Sequence, residues 1–381
     1  MRDPASPAVE IAADGARRIK VWDLPTRLFH WLLVVLVVVG FVTGFMAPEW
    51  WMGLHSWAGY GVVALMLFRL VWGVFGPEYS TIGSLARASR GAWEHAKGLL
   101  LLQPRHHLGH TPLGSVMIFA LAVLLIALTA TGLLVLGGEE KQGPLAGVAS
   151  YAIGAGAKEV HEALALLLLV LVGGHVLGVI VESVLSHENL VGAMITGWKQ
   201  LPPGVEVPQP RLARPLPAAL ATGALVAVLA LMLAYLGRLP PKGMRPLAEN
   251  AAYAEECGAC HDPYHPSLLP AASWDTVMAG LADHFGEDAS LDPESAHGIA
   301  GWLAANAAET WDTEAANRFR TLDPSHPLRI TATPYWRWKH AEIPDAVFAR
   351  TSIRTRAHCS ACHRDAASGR FDDQAIAIPR E

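Results

Sequence analysis

The chain has 381 residues, 52% of them apolar and only 17% charged, with a mean hydropathy of +0.30 and a formal charge of −5. That composition is too apolar for an ordinary soluble protein of this length, and the small negative charge argues against nucleic-acid binding. The apolar residues crowd between 28 and 237, and beyond 240 the composition becomes that of a polar globular domain.

The opening segment, 1–27, is polar and lacks an apolar stretch followed by a small-residue cleavage site, so no cleavable signal peptide is expected. Five apolar runs follow, at about 28–47, 54–75, 113–136, 160–182 and 216–237. Each reaches the roughly 20 residues needed to cross a bilayer. Basic residues set the expected orientation. Arg17, Arg18, Lys20 and Arg27 precede the first run; Arg87, Arg90, Lys97 and Arg105 lie between the second and third; Lys199, Arg211 and Arg214 lie between the fourth and fifth. The other two loops hold only Lys141 and Lys158. The N-terminus is therefore expected in the cytoplasm and everything after 238 on the opposite side. Arg238, Lys242 and Arg245 argue mildly the other way, but large translocated domains mostly ignore such charges.

Ionisable residues inside membrane segments are functional candidates. Four histidines qualify: His30, His55, His161 and His175. His161 and His175 are 14 residues apart on one predicted helix. That places them within about 40° of one face and about 21 Å apart along the axis. His30 begins the first helix on the cytoplasmic side, and His55 begins the second on the other. Depth therefore pairs His30 with His175 and His55 with His161, and each pair can hold a b-type haem. The same step leads from His30 to Gly44 and from His55 to Arg69, an otherwise unpaired cation suited to a haem propionate. Arg27 can serve likewise, and Gly173, Gly174 and Gly178 leave room for a macrocycle. Any one of these histidines is readily explained as a polar residue near the interface; four at matched depths are harder to produce by accident. His95, His106, His107, His110 and His187 fall in or beside cytoplasmic loops and are expected to be solvated.

A Pro-rich connector (201–215) precedes the fifth run, and "RLPPKGMRP" (238–246) is a stiff tether. The domain beyond it holds all four cysteines, in "CGACH" (257–261) and "CSACH" (359–363). Cys-x-x-Cys-His is the covalent haem c attachment pattern. Cys257 and Cys260 form thioethers with His261 as proximal ligand; Cys359, Cys362 and His363 repeat the set. Zinc also takes Cys-x-x-Cys pairs, but these usually lie within about 20 residues of each other. Here they are 102 apart and each carries the His. A disulfide would leave the His unexplained. The remaining histidines of this domain are 265, 284, 297, 326, 340 and 358, with Met278 a further possible axial ligand. His265 and His358 are cramped by their nearness to the motifs. His297 lies on a helix predicted to start at Asp292–Pro293, and His326 in a turn.

"VWDLPTRLFHW", "GLHSWAGY", "GHTPLGSVMIFAL" and the His161/His175 helix resemble the bacterial cytochrome b561 family, which includes the cytochrome b subunits of nickel–iron hydrogenases. The resemblance covers about 18–200. It implies a four-helix bundle with two bis-His haems on the same four histidines, and exchange of electrons with quinones. "ECGACHDPYHPSLLPAASWDTVMAGLADHFGEDASLD", "YWRWKHAEIPDA" and "CSACHRDAASGRFDD" resemble the dihaem cytochrome c family. That resemblance implies bis-His haems, with His284 and His340 as the distal ligands, and donation to a small oxygen-binding haem protein.

The expected protein is mainly α. A transmembrane four-helix haem bundle (28–200) and a fifth transmembrane helix (216–237) precede a small, mainly helical periplasmic dihaem domain (247–381). Two b haems and two c haems would link the quinone pool to a periplasmic redox partner. A superoxide-oxidising, quinone-reducing cytochrome and a haem-based gas sensor are the alternatives. Residues 247–317 contain 13 Asp or Glu and no Lys or Arg, whereas 318–381 hold 11 Lys or Arg against 7 acids. Because the first c haem follows the tether directly, the second is expected to be where electrons leave.

Overall fold

The computed structural model describes residues 9–11, 17–103, 106–201, 211–321 and 328–380. Five helices are long and apolar enough to span a bilayer: α1 (Leu24–Phe45), α2 (Met52–Phe75), α5 (Pro112–Gly138), α6 (Tyr151–Ser186) and α8 (Pro215–Leu236). Short helices α3 (Ile82–Ser89) and α4 (Ala92–Leu100) join α2 to α5, and α7 (Leu190–Thr196) follows α6. The chain divides into two compact units.

The first unit comprises residues 1–46, 54–131 and 159–232. Its core lies where α1, α2, α5 and α6 meet, around buried Val62, Leu124, Leu125, Leu128 and Leu168. Outward-facing Val35, Val123, Val170 and Leu220 stay exposed, as lipid-facing residues do in helices whose backbone bonds are all internal. Strands β1 (Val9–Ile11), β2 (Arg17–Lys20) and β3 (Trp198–Gln200) form an antiparallel sheet, with Ile19 opposite Val9 and Lys199. Ile19 is fully buried with Val21, Trp22, Ala193 and Leu201.

The second unit joins residues 47–53, 132–158 and 233–381. Its helices are α9 (Ala251–Glu256), α10 (Ala271–Ala279), α11 (Pro293–Ala305), α12 (Glu314–Phe319), α13 (Pro334–Lys339) and α14 (Asp345–Phe348). α11 starts where its sequence predicts: Pro293 occupies the first turn and the Asp292 carboxylate accepts from Glu294 N and Ser295 N, both at 3.0 Å. Two apolar clusters fill this unit, one around Trp274, Ile299 and Leu303, the other around Leu268, Phe319 and Trp336. α10 is shorter than "SWDTVMAGLADHF" suggests: it stops at Ala279, because Gly280 breaks it.

The segment between α5 and α6 is tied to the C-terminal residues by buried polar bonds. Lys141, 1% exposed, donates to Asp312 Oδ2 at 2.9 Å, and the same oxygen accepts from Tyr151 N at the start of α6. Asp373 N donates to Glu140 Oε2 at 3.0 Å.

Two predictions follow from these bonds. Asp312→Ala strands a buried ammonium and uncaps α6, and should destabilise this unit by about 3 kcal/mol, read by thermal denaturation. The second concerns protons. Burial pushes the Asp373 carboxyl up to about 7, opposed by Lys339, and burial with repulsion from Asp373 pushes Glu140 well above the usual range. The folded state then binds more protons than the unfolded chain, so stability falls as pH rises through the interval between the ordinary carboxylate value and about 7. Asp373→Asn should flatten that fall, measured as melting temperature between about pH 5 and 8.

Candidate functional site

Two imidazoles that share one metal across bonds of about 2.0 Å, each bonded nitrogen lying about 1.1 Å from its ring centre, hold their centroids about 6.2 Å apart. Three pairs meet this spacing. His55 and His161 are 6.1 Å apart with planes at 73°. His261 and His284 are 6.3 Å apart at 24°, and His340 and His363 are 6.1 Å apart at 64°. The His30 ring meets Trp31 edge-on, 5.1 Å between ring centres. Of the two depth-matched pairs, His55 and His161 are the one whose rings stand at this spacing.

Local bonds prepare four of the eight rings, whereas His30 Nδ1 and His363 Nδ1 are buried without a hydrogen-bond partner. A histidine that donates from Nδ1 keeps Nε2 bare for a metal. His55 Nδ1 bonds Thr43 Oγ1 at 3.1 Å; His161 Nδ1 bonds Leu128 O and Thr131 Oγ1, both at 3.1 Å. His261 Nδ1 donates to Asp262 O at 2.7 Å and His340 Nδ1 to Trp336 O at 2.9 Å. Thr43 and Thr131 were not singled out in the sequence, where a lone Thr in an apolar run is unremarkable. Their signal is position: Thr43 adjoins Gly44, where an added Cβ would lie 3.3 Å from His55 Cε1. A Cβ at Gly173 or Gly178, both exposed, would meet no atom within 4 Å, whereas one at Gly174 would lie 3.6 Å from Met117 Cε.

In the second unit His284 sits at the base of a tight hairpin, bridged to Glu287, with Phe285 and Gly286 at φ 58° and 101°. That turn aims the ring at His261. His340 closes α13: Thr333 caps the helix by accepting from Trp336 N, and Trp336 stacks on His340 at 4.2 Å. Burial, helped by His340, pushes His363 down to about 4, and burial likewise lowers His340 and His284, keeping all three rings in the neutral form that binds iron.

Cys257 ends α9 and Cys359 opens a 3₁₀ turn, and among the described residues no disulfide joins the four cysteines. Among the described residues no three His, Cys, Asp or Glu side chains converge as a metal cage. The two motifs lie side by side. Tyr264 Oη donates to Ala357 O at 3.0 Å, Ser360 bonds Asp262, and His358 Nε2 lies 3.5 Å from Asp262 Oδ2. The donor set, thiols beside one ring and a second ring at iron spacing, fits covalent bis-His haem.

Other candidates fall differently. Arg69 is not unpaired: Nη1 donates to Ser80 O at 2.8 Å, within a network in which Asp23 accepts from Trp72 and Ser80. Arg27 bonds Ile195 O, and its Nε is buried without a partner. His95 is buried, not solvated, because Glu182 Oε1 sits 3.2 Å from its Nε2; His110 packs on Trp22. His106, His187 and His297 are exposed. His265 is buried against Trp311, its Nδ1 2.8 Å from Ser267 Oγ, and Met278 packs into the α10–α11 core. His326 lies outside the described residues.

The membrane pairs predict shared phenotypes. His30→Ala and His175→Ala should each remove one and the same b haem, and His55→Ala and His161→Ala the other, as read by redox difference spectra; crossed losses would refute the pairing. His284→Ala or His340→Ala should each give one high-spin, carbon-monoxide-binding c haem.

Comparison with known proteins matches these two regions separately. Residues 21–197 match the family described as prokaryotic cytochrome b561, and residues 253–371 the family described as dihaem cytochrome c. The chain is 25% identical over 211 residues to a probable Ni/Fe-hydrogenase 1 B-type cytochrome subunit of Escherichia coli K12, covering 47% of this chain and 89% of that protein. It is 27% identical over 223 residues to the corresponding probable subunit of Azotobacter vinelandii, covering 49% and 92%. A solved structure of the diheme cytochrome c from Rhodobacter sphaeroides is 40% identical, covering 33% of this chain and 98% of that one, with a TM-score of 0.29.

Proposed function

Because residues 21–197 belong to the prokaryotic cytochrome b561 family and residues 253–371 to the dihaem cytochrome c family, this is a haem-based electron-transfer membrane protein, and we propose that it carries electrons from quinol to a soluble redox protein. In this reading the bundle oxidises quinol, the b haems held by His30/His175 and His55/His161 receive the electrons, and the c haems held by His261/His284 and His340/His363 pass them on. In this reading 28–200 is the bundle, 216–237 the fifth helix and 247–381 the dihaem domain. The N-terminus faces the cytoplasm of a bacterial inner membrane and the dihaem domain faces the periplasm.

The observation that carries the reading is the ring spacing: three His pairs stand 6.1 to 6.3 Å apart, as a doubly ligated iron requires. Filled axial positions suit outer-sphere transfer and leave no open iron for substrate. The haem supplies a reversible one-electron couple. The protein's part is to hold both rings, orient them through Nδ1 and exclude water. The membership of the second unit supports five crossings, because the segments before His55 and before His161 fold with 233–381, and the basic residues of the other loops support a cytoplasmic N-terminus. A quinol pocket is expected within the bundle. The acceptor is a small periplasmic redox protein, a small oxygen-binding haem protein being the kind that the dihaem resemblance suggests.

The test is quinol-driven reduction in liposomes. Quinol should reduce the b haems first and the c haems second, and an added acceptor should reoxidise all of them. Extraction with acid acetone should remove two haems and leave two on the chain. If quinol reduced no haem, or if all the haem were extracted, the reading would fail.

A further inference from the structure

The geometry points to an order within the dihaem domain: electrons enter it at the His340/His363 centre and leave it at the His261/His284 centre. This rests on the quinol-to-acceptor reading above and reverses the order expected from the tether.

The argument lies in what holds each c centre within the second unit. Lys339, next to His340, donates to Glu49 Oε1 at 3.0 Å and lies 3.7 Å from Asp373 Oδ1. Asp373 N donates in turn to Glu140 Oε2 at 3.0 Å, and a Cβ on Gly53 would lie 3.4 Å from Gln374 Oε1. His363 is bridged to Ile376, directly after these residues. The His340/His363 centre is thus bonded to both 47–53 and 132–158. Gly53 is two residues before His55, a span of at most about 7 Å of chain. Lys158 is three residues before His161. The two segments that grip the second c centre are the ones that lead into the two ligands of one b haem.

The first c centre has the opposite setting. Among the described residues, none of the hydrogen bonds or ion pairs of 257–262 or 281–288 reaches 47–53 or 132–158. His261 and Cys260 are exposed, and so is Phe285 beside His284. Among the described residues its side-chain bonds run to the second motif, through Asp262 to Ser360 and His358. One electron therefore moves from the His55/His161 centre to the His340/His363 centre, then to the His261/His284 centre, then to a one-electron acceptor. Each centre is oxidised as the next is reduced, and no bond is made or broken.

The test removes one c haem at a time from the full-length protein, with haem-stained gels confirming that the other remains. In Cys257→Ala/Cys260→Ala, the remaining c haem should still be reduced by quinol at the wild-type rate. In Cys359→Ala/Cys362→Ala, the b haems should be reduced while the remaining c haem stays oxidised over the same time. The converse pattern would overturn the order. Should either variant fail to fold, Gly53→Trp keeps all four haems and wedges Gln374 away; it should slow c reduction without slowing b reduction, and unchanged c reduction would overturn the proposal. If quinol reduced no b haem even in the wild type, the quinol reading would fall, and the same comparison would be run with a membrane-soluble dye reductant.

Discussion

An imidazole binds iron only through a nitrogen that carries no proton, and a second imidazole must face it across a gap fixed by two bonds. Helix, hairpin and cap are arranged here to meet that requirement. In the bundle the work falls to Thr43, Thr131 and the Leu128 carbonyl, which take the Nδ1 proton of His55 and His161. In the dihaem domain it falls to Trp336 O at the end of a capped helix and to Asp262 O after the first motif. Neither environment leaves the choice of nitrogen to solvent. In a bilayer no water would compete for the ring, so a threonine on a neighbouring helix is enough to set it.

The polar residues between α5 and α6 illustrate a second constraint. Burying Glu139, Glu140 and Lys141 is costly unless each finds a partner. Lys158 lies 3.2 Å from Glu139 Oε2, Asp373 N bonds Glu140, and Asp312 bonds Lys141. Asp312 serves two donors with one oxygen, which explains why a carboxylate a quarter exposed sits at the start of a membrane helix. The bonds are directional, so they fix how the C-terminal residues meet these segments. Apolar packing alone tolerates sliding.

Much of this was legible because covalent and periodic rules act locally. Cys-x-x-Cys-His is readable without a fold, and a 14-residue step on a helix returns a side chain to the same face whatever surrounds it. Asp292–Pro293 starts a helix for reasons contained in four residues. The failures share the opposite property. Arg69 looked unpaired because its partner, Ser80 O, is a backbone atom eleven residues on, beyond the end of α2. His95 looked solvated because Glu182 lies 87 positions away. The grip of Glu49 and Glu140 on the C-terminal domain was invisible for the same reason: three segments far apart in the chain make it.

The ring planes of the three resolved pairs differ, at 24°, 64° and 73°. Parallel rings pull on one of the iron's two π-type d orbitals and leave the other, lifting their degeneracy; crossed rings act on both alike. The His261/His284 centre should therefore have a rhombic low-spin ferric signal in electron paramagnetic resonance, and the two crossed centres a strongly axial one. The helix cap that turns His340 and the hairpin that turns His284 thereby give two chemically identical c haems different magnetic labels, and each can be followed in a protein where their optical bands overlap.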